Sequence, residues 1–552
     1  MTQTAAAATN RTGPGDEPGT EKNTGLVLLF IGLMLSMLLA SLSQTVLSTA
    51  LPTIVGELHG VGEMLWIMTA FILASTIMMP VYGKMGDLIG RKSLLITAII
   101  IFMTGSVLGG LAGSMTWMII ARVVQGLGGG GLMILSQAII ADVVPARERG
   151  KYMGIMGAVF AVSSVAGPLL GGWFTESIGW RWTFWINLPL GSAALLAAVF
   201  LLHVPKGRNL RPKVDLAGMG VLAVTTTSLV LAASWGGSRY GWGSGVILGL
   251  FAVTIVGAFT FVQVERRAAE PIISMHLFQK RNFVLTTTSG LMIGVAMFGV
   301  LGYMPTYIQM VTGVTATHAG FVMIPMMGML LATSVSSGFV ISKTGRYKWM
   351  PMVGSLIVAL ALTLMSTLEV DTPLWVLCVF IGVLGCGVGL SMQVLVLIVQ
   401  NTFPNSQVGT ATASNNYFRQ IGASLGAAAV GSLFVSRLTP LLEDRIPAGA
   451  IPGGGANNLT PGLVDSLPEA LRQPIIQSYN EALTPLFLYI VPLLLIAFVL
   501  LSFLREDPLA TTIERDAELD PLAGEYSPLA EVAAAHHPQP KASGIQVATR
   551  QE

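Results

Sequence analysis

The stretch "MIIARVVQGLGGGGLMILSQAII" (residues 118–140) holds one charge, Arg122, inside a long apolar run. A guanidinium at bilayer depth costs about 2.5–3.5 kcal/mol even on the lenient insertion scales, so it is kept for function or held by partners. Arg419 lies in a second such run. The chemistry open to these residues is proton relay or substrate handling, and either needs a counter-group. None of the 28 acidic residues falls deep in an apolar run. Glu63 stands at the outer end of one run, Asp142 at the inner end of another, and Glu369 and Asp371 lie at the outer mouth. Arg122 therefore has to find neutral acceptors, for which Ser43, Gln44, Thr45 and Gln125 are the candidates, or relay to Glu63 or Asp142. Nothing in the runs offers a nucleophile–base pair or a metal cluster, and the tails look too short for a signalling domain, so a membrane enzyme or sensor is a weak rival and no cofactor is called for. Cys378 and Cys386, in one apolar run, read as free buried thiols. Gly126, Gly128 and Gly131 match a dinucleotide fingerprint by letter, but that fingerprint needs a strand before it and a helix after it. Inside an apolar run the glycines serve helix packing.

The elements that carry these residues are membrane helices. The chain has 552 residues, 53% hydrophobic and 11% charged, with a net charge of +2 and mean hydropathy of +0.71. That balance excludes a nucleic-acid partner. About 20 apolar residues cross a bilayer, and fourteen runs qualify: near 25–50, 64–82, 93–112, 115–139, 151–172, 183–202, 215–235, 246–264, 284–308, 316–341, 350–367, 374–400, 409–436 and 484–504. A β-barrel is excluded because its strands alternate apolar and polar residues. Placing the N-terminus inside puts 17 Lys and Arg in the inner loops and 5 in the outer ones, so both termini are expected in the cytoplasm. Residues 1–24 and 506–552 read as disordered tails, and 437–483, rich in Pro, Gly and Asn, as a mobile extracellular loop.

"GKMGDLIGRK" begins at Gly83 after the second run, and "GFVISKTGRYK" at Gly338 after the tenth. The same pattern at the same place in each half indicates a duplication, as in transporters that open a midplane site to alternate sides. The halves cover 25–203 and 284–505, and 204–283 carries two extra helices between them. Asp87 and Arg91 can pair across the first loop, and Gly83, Gly86 and Gly90 allow that loop to be tight.

With "RVVQG" (122–126), "GAVFAVSSVAGPLLGG" (157–172), "WRWTFWINLPLG" (180–191), "EPIISMHLF" (270–278) and "NNYFRQIGASLG" (415–426), the chain resembles the major facilitator superfamily over residues 25–505. The resemblance is to its fourteen-helix drug:proton antiporter group, typified by the EmrB and QacA exporters. It implies an all-α polytopic fold of two six-helix bundles plus two extra helices. It implies a monomeric, secondary active exporter of hydrophobic or amphipathic compounds, multidrug efflux by proton antiport, in the bacterial inner membrane. The same fold also serves exporters of lipids or cell-envelope precursors.

The resemblance carries roles onto particular residues. Gly83, Asp87, Gly90, Arg91 and the repeat's Arg346 become a conformational latch, with Asp87 facing the helix that starts near Gly409. Gly157, Gly167, Pro168, Gly171 and Gly172 become the antiporter motif, a bend that joins the halves; Ser163 stands there in place of the usual Gly. Arg122, with Glu63 and Asp142, becomes the proton-coupling group. The first-helix motif "LSQTVLSTALP" (42–52) has Ser43 where the family usually has Asp. Cavity walls are expected from the first, fourth, ninth and twelfth runs and nearby positions: Ser43, Gln44, Thr45, Trp66, Gln125, Met297, Phe298, Tyr303, Tyr307, Gln309, Gln393, Asn416, Phe418 and Arg419. Two arginines and no carboxylate make such a cavity electropositive, which disfavours permanent organic cations as cargo.

Overall fold

Lipid cannot solvate backbone amides, so apolar runs of this length close their hydrogen bonds internally as helices. The computed structural model describes residues 18–59, 63–202, 214–237, 239–447 and 459–511, the side chains of 18–26, 65, 316 and 317 excepted. Six helices form the first half: α1 Pro18–Glu57, α2 Met64–Ile89, α3 Arg91–Gly110, α4 Met115–Val143, α5 Ala146–Ser177 and α6 Trp182–Phe200. Two make an inserted hairpin, α7 Leu216–Trp235 and α8 Gly245–Arg267. Six form the second half: α9 Arg281–Thr312, α10 His318–Thr344, α11 Trp349–Met365, α12 Leu374–Thr402, α13 Val408–Arg445 and α14 Glu469–Ser502. Helix α11, at 17 residues, sits at the short end of the spanning range.

Small residues set how closely these helices approach. A Cβ on Gly126 would lie 2.6 Å from the Phe71 carbonyl oxygen, and one on Gly128 would lie 2.5 Å from that of Ala98. The glycine run of α4 thus lets α2 and α3 reach its backbone, the packing role expected of it.

Several boundaries differ from the sequence reading. Helix α2 runs on to Ile89, so Gly83, Gly86 and Asp87 are helical and only Gly90, at φ 99°, makes the turn. Gly345, its counterpart in the repeat, likewise takes a positive φ of 72° after α10. Within the loop expected at 437–483, residues 437–445, 461–465 and 469–483 are helical, and 448–458 lies outside the described residues. Helix α13 carries Pro440 and ends at Arg445, and α14 starts at Glu469 and carries Pro474. The first tail shortens too, because α1 begins at Pro18. Residues 506–511 are held rather than loose. Glu506 accepts from the Tyr347 and Lys348 amides at 2.7 and 3.1 Å, and Ala510 accepts from the Arg147 amide at 3.0 Å. The rest of both tails, 1–17 and 512–552, lies outside the described residues.

Candidate functional site: a buried arginine, a methionine-lined cavity and a latch

Arg122 faces inward on α4 and is 0% exposed. Its Nη1 donates to Gln125 Oε1 at 2.6 Å and to Ser43 Oγ at 3.1 Å, and its Nε donates to the Ile67 carbonyl at 3.0 Å. Its guanidinium lies over the Phe71 ring, 4.2 Å from the centroid. Gln125 in turn donates to Ser106 Oγ at 2.8 Å, and Asn187 donates to the same oxygen at 3.2 Å. Five helices of the first half thereby hold one charge without a carboxylate. Among the described residues Nη2 has no hydrogen-bond partner. Of the acceptors expected from sequence, Ser43 and Gln125 serve. Thr45 instead donates to the Ser163 carbonyl at 2.8 Å, tying α1 to α5. The Ile67 carbonyl, Phe71, Ser106 and Asn187 were not anticipated.

A cavity lies between the halves. Its wall includes Met37, Met79, Met133, Met156 and Met392, together with Ser41, Gln44, Phe71, Phe160 and Gln393. Phe71 belongs to both sites: one edge of its environment is the cavity, and its face covers the Arg122 guanidinium. Methionine suits a wall that must accept varied apolar shapes, because its side chain is flexible and polarisable.

Gln44 and Gln393 alone of the expected cavity residues line this space. The others turn elsewhere for identifiable reasons. Tyr307 donates to Asn480 at 2.6 Å, and Tyr303 donates to the Ala427 carbonyl at 3.4 Å, so α9 turns both onto the second half's own helices. Met297 and Phe298 belong to the same packed core. Gln309 bonds back to the Pro305 carbonyl. Trp66 stacks edge-on with Trp235, and Phe418 with Phe278, placing both against the insert and its linker.

On the side where most basic loops lie, the two halves are bolted together. Asp87 accepts from the amides of Gly409 (3.0 Å) and Thr410 (2.7 Å) and from the Thr410 hydroxyl (2.8 Å). These are the first free amides of α13, where the helix dipole favours an anion. Arg91 pairs with Asp87 at 2.8 Å and Asp142 at 2.6 Å, and donates to the Asn405 carbonyl at 3.0 Å. Gly83 supplies the close approach, since a Cβ there would lie 2.6 Å from the Gly409 carbonyl oxygen. In the repeat, Gly338 packs on Gly150 in the same way, but Ser342 replaces the carboxylate. Ser342 contributes only its carbonyl, which accepts from Arg147 at 3.2 Å. Arg346 is exposed and joins no ion pair among the described residues. Of the expected latch residues, Gly83, Asp87 and Arg91 meet at this contact between the halves, Gly90 turns the chain beside it, and Asp142 joins them through Arg91.

The structure places the remaining expected residues as follows. Asp142 serves Arg91 rather than Arg122, and Glu63 is exposed at the start of α2. Gly167 and Gly171 pack α5 onto Thr45, Val46 and Thr49 of α1, within one half, beside Pro168. Gly172 faces open space, and only Gly157 of that motif reaches across, to Ser334 and Gln393. A buried polar seam also crosses the interface and was missed. Asn416 donates to Gln137 Oε1 at 3.0 Å, and Gln400 donates to the Gln137 carbonyl at 3.2 Å. Arg419 donates to Asn416 at the end of this seam. Cys378 and Cys386 are free and half-buried rather than buried.

Residues 33–427 match the family profile described as Major Facilitator Superfamily. The chain is 42% identical over 492 residues to Rv1877, an uncharacterised MFS-type transporter of Mycobacterium tuberculosis strain H37Rv, covering 89% of this chain and 71% of that one. It is 36% identical over 460 residues to the multidrug transporter protein MdtP of Bacillus subtilis strain 168, covering 82% and 84%. Among solved structures, that of the human organic anion transporter MFSD10 superposes with a TM-score of 0.58 at 15% identity, covering 86% of this chain and 99% of that one. The paired basic-side motifs, the helical architecture and these matches agree, and the chain belongs to the major facilitator superfamily of membrane transporters.

Proposed function

We propose that this protein is a secondary active exporter of hydrophobic or amphipathic compounds, working as a monomer by alternating access and driven by proton antiport. Its place is the bacterial inner membrane, with both termini and the latch on the cytoplasmic side. The observation that carries the reading is the pairing of a methionine-lined cavity with a fixed positive charge behind its Phe71 wall. A guanidinium does not release its proton in a protein, and this one has only neutral partners among the described residues. It therefore biases the cavity toward neutral, zwitterionic or anionic amphiphiles. The relative named as a multidrug transporter supports the efflux reading.

Reconstitution in liposomes with an imposed pH gradient tests this. Cargo movement should follow the gradient, and cargo should drive proton movement in return. Arg122→Ala should abolish both while the protein still inserts and folds. Transport indifferent to the gradient, or strong export of a permanent lipophilic dication, refutes the reading.

A further inference from the structure

Two polar side chains on the cavity wall hold buried oxygens that nothing satisfies. Ser41 Oγ on α1 and Gln393 Oε1 on α12 have no hydrogen-bond partner among the described residues. Ser75, on the same wall, spends its hydroxyl on the Ile72 carbonyl at 2.9 Å. Gln393 is 5% exposed, so its carboxamide has left water without gaining a protein donor for that oxygen. A buried acceptor in this state costs the protein free energy until something donates to it.

The wall is uneven in origin. Met392 and Gln393 are the second half's share, and the rest of the lining comes from α1, α2, α4 and α5 of the first. Gln393 is therefore the polar group that the second half contributes. Gly157 of α5 sets where it sits. A Cβ there would lie 3.0 Å from Gln393 Cγ and 3.4 Å from its Nε2, so bare backbone of one half backs the side chain of the other. Among the described residues no Asp, Glu, Lys, Arg or His lines the cavity, and the Arg122 charge stays behind Phe71. What the wall matches is an uncharged polar group set in apolar surface.

We propose that Gln393 selects the cargo: its Oε1 accepts a hydrogen bond from an uncharged amphiphile that carries an N–H or O–H group, with the Ser41 hydroxyl as a second polar contact. The inference rests on the exporter reading of this cavity and narrows it to neutral, donor-bearing compounds. A cargo without a donor leaves the oxygen unpaired and binds about 5- to 150-fold more weakly. A site built to pair one hydrogen bond rejects the analogue lacking it far more strongly than an apolar pocket rejects a missing methylene. A cargo held by Gln393 and packed on Met37 or Met79 touches both halves at once, so its binding depends on how the halves stand.

The test uses the full-length protein, Gln393→Met, and two pairs of probes that differ by one N–H. The pairs are N-phenyl-naphthylamine with its N-methyl form, and decanoic anilide with its N-methyl form; binding is read by fluorescence and calorimetry. The wild type should prefer the N–H member by about 5- to 150-fold, and Gln393→Met should bind both members alike. Because the oxygen is unpaired without cargo, Gln393→Met should leave the cargo-free melting temperature unchanged or raise it. Equal binding of both members by the wild type, binding of neither, or a preference that survives Gln393→Met overturns the proposal. A lowered cargo-free melting temperature overturns it too, since the side chain would then be holding the fold. Donor-selective binding in a protein that moves neither probe across liposomes upholds the Gln393 site and refutes the exporter reading instead.

Discussion

Replacing Asp87 by Asn should release the basic-side latch. The carboxylate takes three hydrogen bonds from the start of α13 and one from Arg91. Oδ1 serves Gly409 and Arg91, and Oδ2 serves Thr410 twice. An amide keeps one of these oxygens and presents two N–H donors where the other stood, so donor meets donor in a buried place. Hydrogen bonds to a charged group contribute about 1.5–3 kcal/mol each, and an unsatisfied buried donor costs about 1–3 kcal/mol. The lost anion at the helix start adds about 0.3–1 kcal/mol. Arg91 retains Asp142 at 2.6 Å, which keeps the total at the lower end. A net loss of about 2–4 kcal/mol lowers the ratio of latched to released protein roughly 30- to 800-fold.

Electron–electron distance measurement reads this directly. Nitroxides at Ser93 and Gln407, both exposed, report the gap between α3 and the start of α13 once Cys378 and Cys386 are replaced. Asp87→Asn should add a longer distance at the expense of the short one. Asp142→Asn, which removes only a contact to Arg91, should shift the balance less than about tenfold, short of 1.4 kcal/mol. A distance distribution in Asp87→Asn that matches the wild type refutes the argument that this carboxylate holds the halves together.

Two further outcomes follow from the packing. Gly126→Val puts a side chain where a Cβ already lies 2.6 Å from the Phe71 carbonyl and 2.9 Å from Ala74 Cβ, so it should cost about 1–3 kcal/mol or more and lower the melting temperature in detergent; it should also displace Phe71 and reduce cargo binding. Tyr347→Phe removes a hydroxyl that donates to the Asp507 carbonyl at 3.0 Å and accepts from its amide at 2.8 Å, about 1 kcal/mol for each bond, so proteases should cut residues 505–511 faster. Burial pushes that hydroxyl up to about 12 from its usual 10.0. A detached strap would lose the proton first, so the strap should hold fully below about pH 10 and loosen as pH rises toward about 12, measured by the same proteolysis.

The membrane helices were legible because lipid leaves the backbone no alternative to helix, so hydropathy alone places each of them. The Asp87–Arg91 pair was legible because the two sit four apart beside a glycine turn; that Asp87 faces the start of α13 came from the family resemblance. Gln125 as a partner of Arg122 followed from i,i+3 spacing on one helix face. The rest depends on which way each helix faces. Tyr303, Tyr307 and Met297 were assigned to the cavity because α9 should border it. A helix apolar on all sides gives no sign of its inward face, and these residues pack on α13 and α14. The cavity methionines Met37, Met79, Met133 and Met156 come one each from α1, α2, α4 and α5, so no local pattern links them.

Asp87 has no acidic counterpart at Ser342, although Gly83, Gly90 and Arg91 recur as Gly338, Gly345 and Arg346. Two descendants of one ancestral element therefore grip with unequal strength. One twin holds the opposite half with a carboxylate on helix amides, the other with neutral carbonyls, so the two joints differ in both charge and number of bonds.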